Sequence, residues 1–175
     1  IMIFKILKEA GCSGIEFGTD SGSPRMLQTY QKPFSVDDVA VASEGCHAVG
    51  LPLCHSLLFG GPSEDEGSVE ETVSLMDEVR PTAVIAMTGI RILPGTEIEA
   101  VAREEGQIDE DTNLLQPEFY FSRDDPHWLL DKLYELTGDR KSWFYPGARN
   151  YSTSVGYKLL QSFFRVGPLW RLLGR

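Results

Sequence analysis

The sequence predicts an α/β fold built on a parallel sheet, and three observations predict it. Helical and strand-like segments alternate up to Gly106 in the order α-β-α-α-β-α-β-α. The strands are separated by helical stretches, which excludes hairpins and implies right-handed crossovers between parallel neighbours. Three strands in succession run out into turns of small and polar residues, "GTDSGSP", "GGPSED" and "LPGTE". In a parallel sheet all three turns fall on the same carboxyl edge, where such folds place their ligands.

The elements follow in order. "IFKILKEAG" puts Ile3, Ile6, Leu7 and Ala10 on one helical face and ends at Gly11. "GIEFG" reads as a short buried strand, and Pro24 opens a short helix. Ser35 caps the next helix, which carries acids in its first turn and stops at Gly50. "LPLCHSLLFG" is a second strand. "SVEETVSLMDEV" is a helix starting near Glu66 or Ser68, and "TAVIAMTGIRIL" is a third strand. "PGTEIEAVAREEG" is a turn and a helix. Beyond Gly106 the alternation breaks down. "DPHWLLDKLYELTG" is a helix with Asp125 as N-cap, Pro126 at its first position and Gly138 as its stop. "RKSWFYPGARNYST" reads as a loop. The final stretch is helical, with Val155, Leu159 and Phe163 in one stripe and Pro168 as an interruption. Two regions result: 1–106, and a mainly helical, aromatic and basic tail over 107–175.

Composition narrows the function classes. The chain has 175 residues, 42% of them hydrophobic and 24% charged, values of an ordinary globular domain. Three cysteines at irregular spacing suit a reducing, cytoplasmic setting better than a disulfide framework. The chain opens on Ile1 inside helical sequence, so an excised piece of a longer protein is expected. All 26 acidic residues lie at or before Asp139, and only basic charges follow. A body this acidic offers no nucleic-acid surface. The basic, apolar tail fits packing on that body, with contact to a membrane interface as the rival reading.

The motifs exclude several chemistries. "GGPSEDE" lacks the Lys-Ser/Thr ending of a phosphate loop, and no G-x-G-x-x-G opens a helix. "DSG" around Ser21 has no glycine two residues before the serine, so it is not a nucleophile elbow. "CHAVGLPLCH" pairs Cys46 with His47 and Cys54 with His55, yet strand neighbours point to opposite faces and the spacing is not that of a zinc site. Core cysteines with a barrel-facing or interface histidine are expected. Glu16 and Arg91 interrupt apolar strands, as a structural ion pair or as ligand contacts. Asp20 and Ser21 can bond ligand hydroxyls, while Gly18, Gly22 and Gly60 let a bulky ligand approach the backbone.

The ordered motifs "GTDSGS" (Gly18 to Ser23), Lys32, "GPSE" (Gly61 to Glu64) and "PGT" (Pro94 to Thr96) resemble the second half of the radical S-adenosylmethionine core. The likeness is to the branch of elongator acetyltransferase-like, methylthiotransferase and cobalamin-binding enzymes, and it covers about Ile3 to Gly106. It implies the carboxyl-terminal half of a (β/α)6 partial TIM barrel with parallel strands, followed by the helical tail. It also implies that Asp20 and Ser21 meet ribose hydroxyls and that Ser56 to Glu64 form the adenine-side wall. Ile90 and Arg91 open the segment to Pro94 whose backbone meets the adenine edge. Asp20 stands where the family has glutamate. The C-x-x-x-C-x-x-C that holds a [4Fe–4S] cluster is absent, and Cys12, Cys46 and Cys54 are too scattered to replace it.

The resemblance thus implies a fragment of an enzyme that cleaves S-adenosylmethionine reductively at a [4Fe–4S] cluster. The fragment is expected to be inactive alone, to carry no catalytic residue and no metal ligand, and to pair with the missing amino-terminal half of the barrel. Cobalamin is expected in an upstream domain of the parent, and the substrate is an unknown small molecule. The alternative is a non-catalytic half-barrel serving binding or assembly. An unrelated TIM-barrel enzyme would need more acids or a lysine at the strand ends than Asp20, Glu64 and Glu97. An uncovered strand edge beside Ile15 and Phe17 predicts self-association, or a tail folded over the opening.

Overall fold

A computed structural model of the chain describes residues 1–123, 127–138, 140–145, 168 and 170–173. Its centre is a parallel sheet in the order β1-β2-β3-β6, formed by β1 (Ile15–Asp20), β2 (Leu53–Phe59), β3 (Ala83–Thr88) and β6 (Trp143–Phe144). The three long strands are those read from the apolar runs. β6 lies within the stretch read as a loop. A two-residue pairing leaves no periodic trace in sequence.

The third predicted strand is broken. β3 ends at Thr88, Gly89 takes φ +83°, and β4 (Ile90–Arg91) leaves the main sheet to pair antiparallel with β5 (Phe119–Tyr120). The aromatic ring of Phe121 sits where a Cβ on Gly89 would stand, 2.7 Å from its Cζ, so the break is locked by a residue far along the chain.

Helices α3 (Val36–Val49), α4 (Glu66–Val79) and α6 (His127–Thr137) cover one face. Their apolar stripes meet the strand residues that alternate toward them. Leu57, Phe59, Val84 and Ala86 form one core with Val39, Val69, Val73, Met76, Leu129, Leu133 and Trp143. The ends of α3 follow their predicted signals, and α4 starts at Glu66, one of the two expected positions, behind a cap that the sequence reading did not name. Ser35 and Asp38 form a capping box, Gly50 closes α3 in the left-handed conformation, and Asp65 with Ser68 caps α4. The predicted caps of α6, Asp125 and Pro126, and the stripe Val155, Leu159 and Phe163 lie outside the described residues.

Helix α1 (Met2–Glu9) turns differently from its expected face. Phe4 and Leu7 pack toward Cys46, while Ile3 and Ile6 stay exposed. The Phe4 ring lies on Gly45, where a Cβ would stand 2.2 Å from it, and this contact sets the roll of the helix.

The other face of the sheet is concave and carries Glu16, Gly18, Cys54, Ser56, Ala83, Ile85 and Phe144 by alternation with the helix-facing residues. Ile15 and Phe17 therefore face the helices, not the barrel interior. Trp170, in the last helical turn Trp170–Leu173, packs with Cys54 and Ala83 and covers the amino-side end of the concave face. No helix among the described residues is long and apolar enough to cross a membrane.

Candidate functional site

The turns after β1 and β2 and the break after β3 meet at the carboxyl edge of the sheet. At β1 the register slips between Gly18 and Asp20, and Asp20 adopts φ +60°. Aspartate tolerates this left-handed geometry better than most side chains. Asp20 is 8% exposed, and the Lys32 ammonium pairs with its carboxylate. The sequence separates these charges by a short helix, α2 (Pro24–Thr29), and the turn that brings the chain back.

Ser21 and Gly22 face away from the edge. Thr72 of α4 donates its hydroxyl hydrogen to the Ser68 carbonyl at 2.9 Å, so it accepts from the Ser21 hydroxyl at 3.0 Å and from Gly22 N–H at 3.0 Å. Ser21 in turn accepts from Ser23 N–H at 3.1 Å and is fully buried. This network fastens the turn to α4. Thr72 escaped the sequence reading, although Ser68 and Thr72 at i, i+4 mark a polar strip inside an otherwise apolar face.

At the end of β2, Glu64 folds back beneath Gly60 and Gly61. Its Oε2 accepts from Gly60 N–H, and its Oε1 is buried without a partner among the described residues. Burial pushes the carboxyl up to about 7, against the pull of the Gly60 and Gly61 amides and of Arg25. Tyr30 lies against Gly61, where a Cβ would stand 2.4 Å from the phenol oxygen, and donates to the Leu58 carbonyl at 3.4 Å. Burial, then the Glu64 charge, raises the Tyr30 pKa far above that of a free phenol.

The remaining predicted residues are spread out. Gly60 has φ +95°, a Cβ there would stand 3.2 Å from Gly89 N and 3.3 Å from the Phe121 ring, and its carbonyl accepts Ser122 N–H at 3.0 Å. Ile90 is half-buried against the small cluster of Ile92 and Tyr120, and Arg91 is exposed opposite Phe119. Ser56 sits lower on the concave face and donates to Glu16 Oε1 at 2.6 Å. The structure thus brings Asp20, Lys32, Tyr30, Gly60 and Glu64 to one edge. It commits Ser21 and Gly22 to packing, and it sets Ser56 apart. A Cβ at Gly18 would meet nothing within 4 Å, on the open concave side, whereas one at Gly22, Gly60 or Gly61 would meet a neighbour.

The cysteine and histidine pairs do not converge. His55 points into the helix layer, between Thr19 Oγ1 at 2.6 Å and Ser43 Oγ at 3.1 Å. Ser43 gives its proton to the Val39 carbonyl at 2.7 Å, so His55 donates from Nε2 and accepts at Nδ1 from Thr19. Burial, then His47, lowers its pKa to about 4, which keeps the ring neutral. Cys54 lies on the opposite face, and burial pushes the Cys46 and Cys54 thiols up to about 11 and about 12. Thiols held neutral and on different layers do not fit the thiolate set of an iron–sulfur cluster. Among the described residues no group of three or more His, Cys, Asp or Glu could hold a metal ion.

No protein-family profile matches the chain. In sequence it is 28% identical over 96 residues to a tryptophan 2-C-methyltransferase of Streptomyces laurentii, 51% of this chain and 16% of that protein. It is 37% identical over 76 residues to an uncharacterized methyltransferase of Pyrococcus horikoshii, 41% of this chain and 16% of that protein. In structure it matches the radical S-adenosylmethionine methyltransferase TsrM of Kitasatospora setae, solved with cobalamin and a [4Fe–4S] cluster bound. The TM-score is 0.75 at 18% identity, over 98% of this chain and 41% of that one. The same enzyme with tryptophan substrate and a S-adenosylmethionine analogue matches equally, at 0.75 and 18%, over 96% of this chain and 42% of the other. The chain therefore spans a minor part of each of these proteins, and it has a fold found within a cobalamin-binding radical S-adenosylmethionine methyltransferase.

Proposed function

We propose that this chain is part of a radical S-adenosylmethionine methyltransferase and that its strand-end turns receive the adenosine portion of S-adenosylmethionine. The observation that carries this reading is the pairing of Asp20 with Gly18 at the kinked end of β1. A carboxylate fixed by Lys32 in a left-handed turn stands two residues from Gly18, whose side is open. Asp20 accepts from the ribose hydroxyls. Gly18 lets the sugar and base approach the backbone. Ser21 and Gly22 hold the turn through Thr72, Gly60 and Glu64 shape the second turn, and Ile90 and Arg91 border the adenine. The unpartnered Glu64 Oε1 supports the same edge, and the similarity to methyltransferases supports the class of enzyme.

The [4Fe–4S] cluster of the parent, when bound, supplies the electron and the open iron that anchors the methionine end of the ligand. Its ligands lie outside this chain, as does any cobalamin-binding domain. The chain's own residues act on the adenosine end only, so affinity of the isolated chain is expected near about 1 mM.

Titration calorimetry with 5′-methylthioadenosine and with S-adenosylmethionine tests this. Gly18→Val is expected to abolish binding while leaving the unfolding free energy within about 0.5 kcal/mol of the parent chain, because a Cβ there meets no neighbour within 4 Å. Asp20→Ala is expected to weaken binding about tenfold, the loss of one charge-assisted hydrogen bond. Unchanged binding in Gly18→Val, or micromolar affinity of the isolated chain for S-adenosylmethionine, would contradict the proposal.

A further inference from the structure

The ends of β2 and β3 are held together by a side chain from well beyond them in the chain. Along β5, Tyr120 packs into the cluster of Ile92 and Leu114, and the next residue, Phe121, points the opposite way. Its half-buried ring enters the gap between the two strand ends. A Cβ on Gly89 would stand 2.7 Å from this ring, and a Cβ on Gly60 would stand 3.3 Å from it. Both glycines adopt positive φ angles, +83° and +95°, and Gly89 N–H donates to the Phe59 carbonyl at 2.7 Å. A side chain at Gly89 would therefore displace the ring, and a ring displaced from the gap no longer braces the two glycines.

The ring is held there by Gln107. The Gln107 Nε2 donates to the Phe121 carbonyl at 2.7 Å, and its Oε1 accepts from the Phe121 N–H at 3.1 Å. One side-chain amide thus pairs with Phe121 as a neighbouring strand would, and a single orientation of the amide satisfies both bonds. The second hydrogen on Nε2 reaches Glu105 Oε2 at 3.2 Å. The following N–H, that of Ser122, donates to the Gly60 carbonyl at 3.0 Å. Gln107 is fixed in turn by the end of α5 (Glu97–Glu104). Gly106, at φ +72°, donates to the Arg103 carbonyl at 3.1 Å, and Gln107 N–H donates to the Ala102 carbonyl at 2.8 Å. These are the two bonds of a Schellman closure, so the helix end aims the Gln107 side chain at Phe121. Removing the amide leaves the Phe121 N–H and carbonyl without these partners at a half-buried position, which favours departure of the ring.

We propose that Gln107 is a positioning residue of the nucleoside-binding edge. It seats the Phe121 ring between Gly60 and Gly89, and so holds the ends of β2 and β3 in the form that receives the base. The role rests on the adenosine site proposed above for its ligand, whereas the seating of the ring does not. Amide NMR on the full 175-residue chain tests both parts. In the free chain the ring displaces the Gly60 and Gly89 amide signals. Q107A is expected to return both toward the positions of unstructured glycine while the rest of the spectrum keeps its dispersion. Titrated with 5′-methylthioadenosine, Q107A is expected to bind about fivefold more weakly, the size of one aromatic contact put out of place. Should Q107A lose its dispersion, Q107E keeps the side-chain volume and the bond from the Phe121 N–H, but sets a carboxylate against the Phe121 carbonyl. Weaker nucleoside binding by folded Q107E supports the role, and unchanged binding overturns it. Glycine signals unmoved in Q107A, or moved with no change in affinity, overturn the role of Gln107 and leave the adenosine site standing. Absence of binding by the parent chain at about 10 mM nucleoside, tenfold above the expected dissociation constant, removes the adenosine site and this role with it.

Discussion

Replacing Glu64 or His55 by glutamine is expected to tilt a pH–stability profile that the two residues otherwise keep level. Glu64 is 3% exposed, and its carboxyl sits at about 7, above its ordinary 4.5. The raised value means that the folded chain holds this proton more tightly than the unfolded chain. Its stabilisation is full below about pH 4.5 and is lost as pH rises through about 7. His55 is fully buried and sits at about 4, below its ordinary 6.5. Its stabilisation is full above about pH 6.5 and is lost as pH falls toward about 4. Each shift corresponds to about 3 kcal/mol, with opposite signs over nearly the same window. Urea unfolding from pH 4.5 to 8 checks this. In Glu64→Gln stability should fall by up to about 3 kcal/mol as the medium is acidified from pH 7 to 4.5. In His55→Gln it should rise by a similar amount over the same range. Two variants that both retain the parent's profile would show that neither group titrates as its burial requires.

The second large effect is expected at Gly22. A Cβ there would stand 2.8 Å from the Thr72 Cα and 3.0 Å from the Leu75 Cβ, and the first of these is backbone that no rotamer change relieves. Gly22→Val must therefore push α4 off the end of β1. It breaks the hydrogen bonds that Thr72 accepts from Ser21 and from the Gly22 amide. The expected cost is about 3 kcal/mol, the sum of overpacking and two weakened buried bonds. Urea midpoints for Gly22→Val and Gly18→Val measured side by side separate a packing glycine from a ligand glycine. Similar losses in the two variants would mean that the open side of Gly18 is not open in solution.

Much of this was legible in the sequence because the informative signals are local. The runs around Ile15–Asp20, Leu53–Phe59 and Ala83–Thr88 are short, apolar and closed by glycine or a polar turn, and they form the three long strands. Ser35 and Gly50 bracket α3 as their cap chemistry requires. What stayed hidden depends on partners distant in the chain. The break at Gly89 is set by Phe121, the orientation of Ser21 by Thr72, and the raised pKa of Glu64 by its burial in the turn. His55 followed the same logic. The sequence allows a barrel-facing or an interface histidine, and only Thr19 and Ser43 on neighbouring elements decide for the helix side. At the candidate site, the motif "GTDSGS" marked the end of β1 but did not distinguish residues left open at that edge, such as Gly18, from residues that hold the turn, such as Ser21 and Gly22.

Amide-resolved NMR of the chain during titration with 5′-methylthioadenosine tests the central claim most directly. The account predicts saturable shifts confined to Gly18, Asp20, Lys32, Gly60 and Ile90, reproduced by the ligand's ribose but absent with adenine alone at the Asp20 amide. Shifts that instead centre on the helix layer around Phe17, Phe34 and His55, or that leave Gly18 and Asp20 unmoved at saturation, would contradict it.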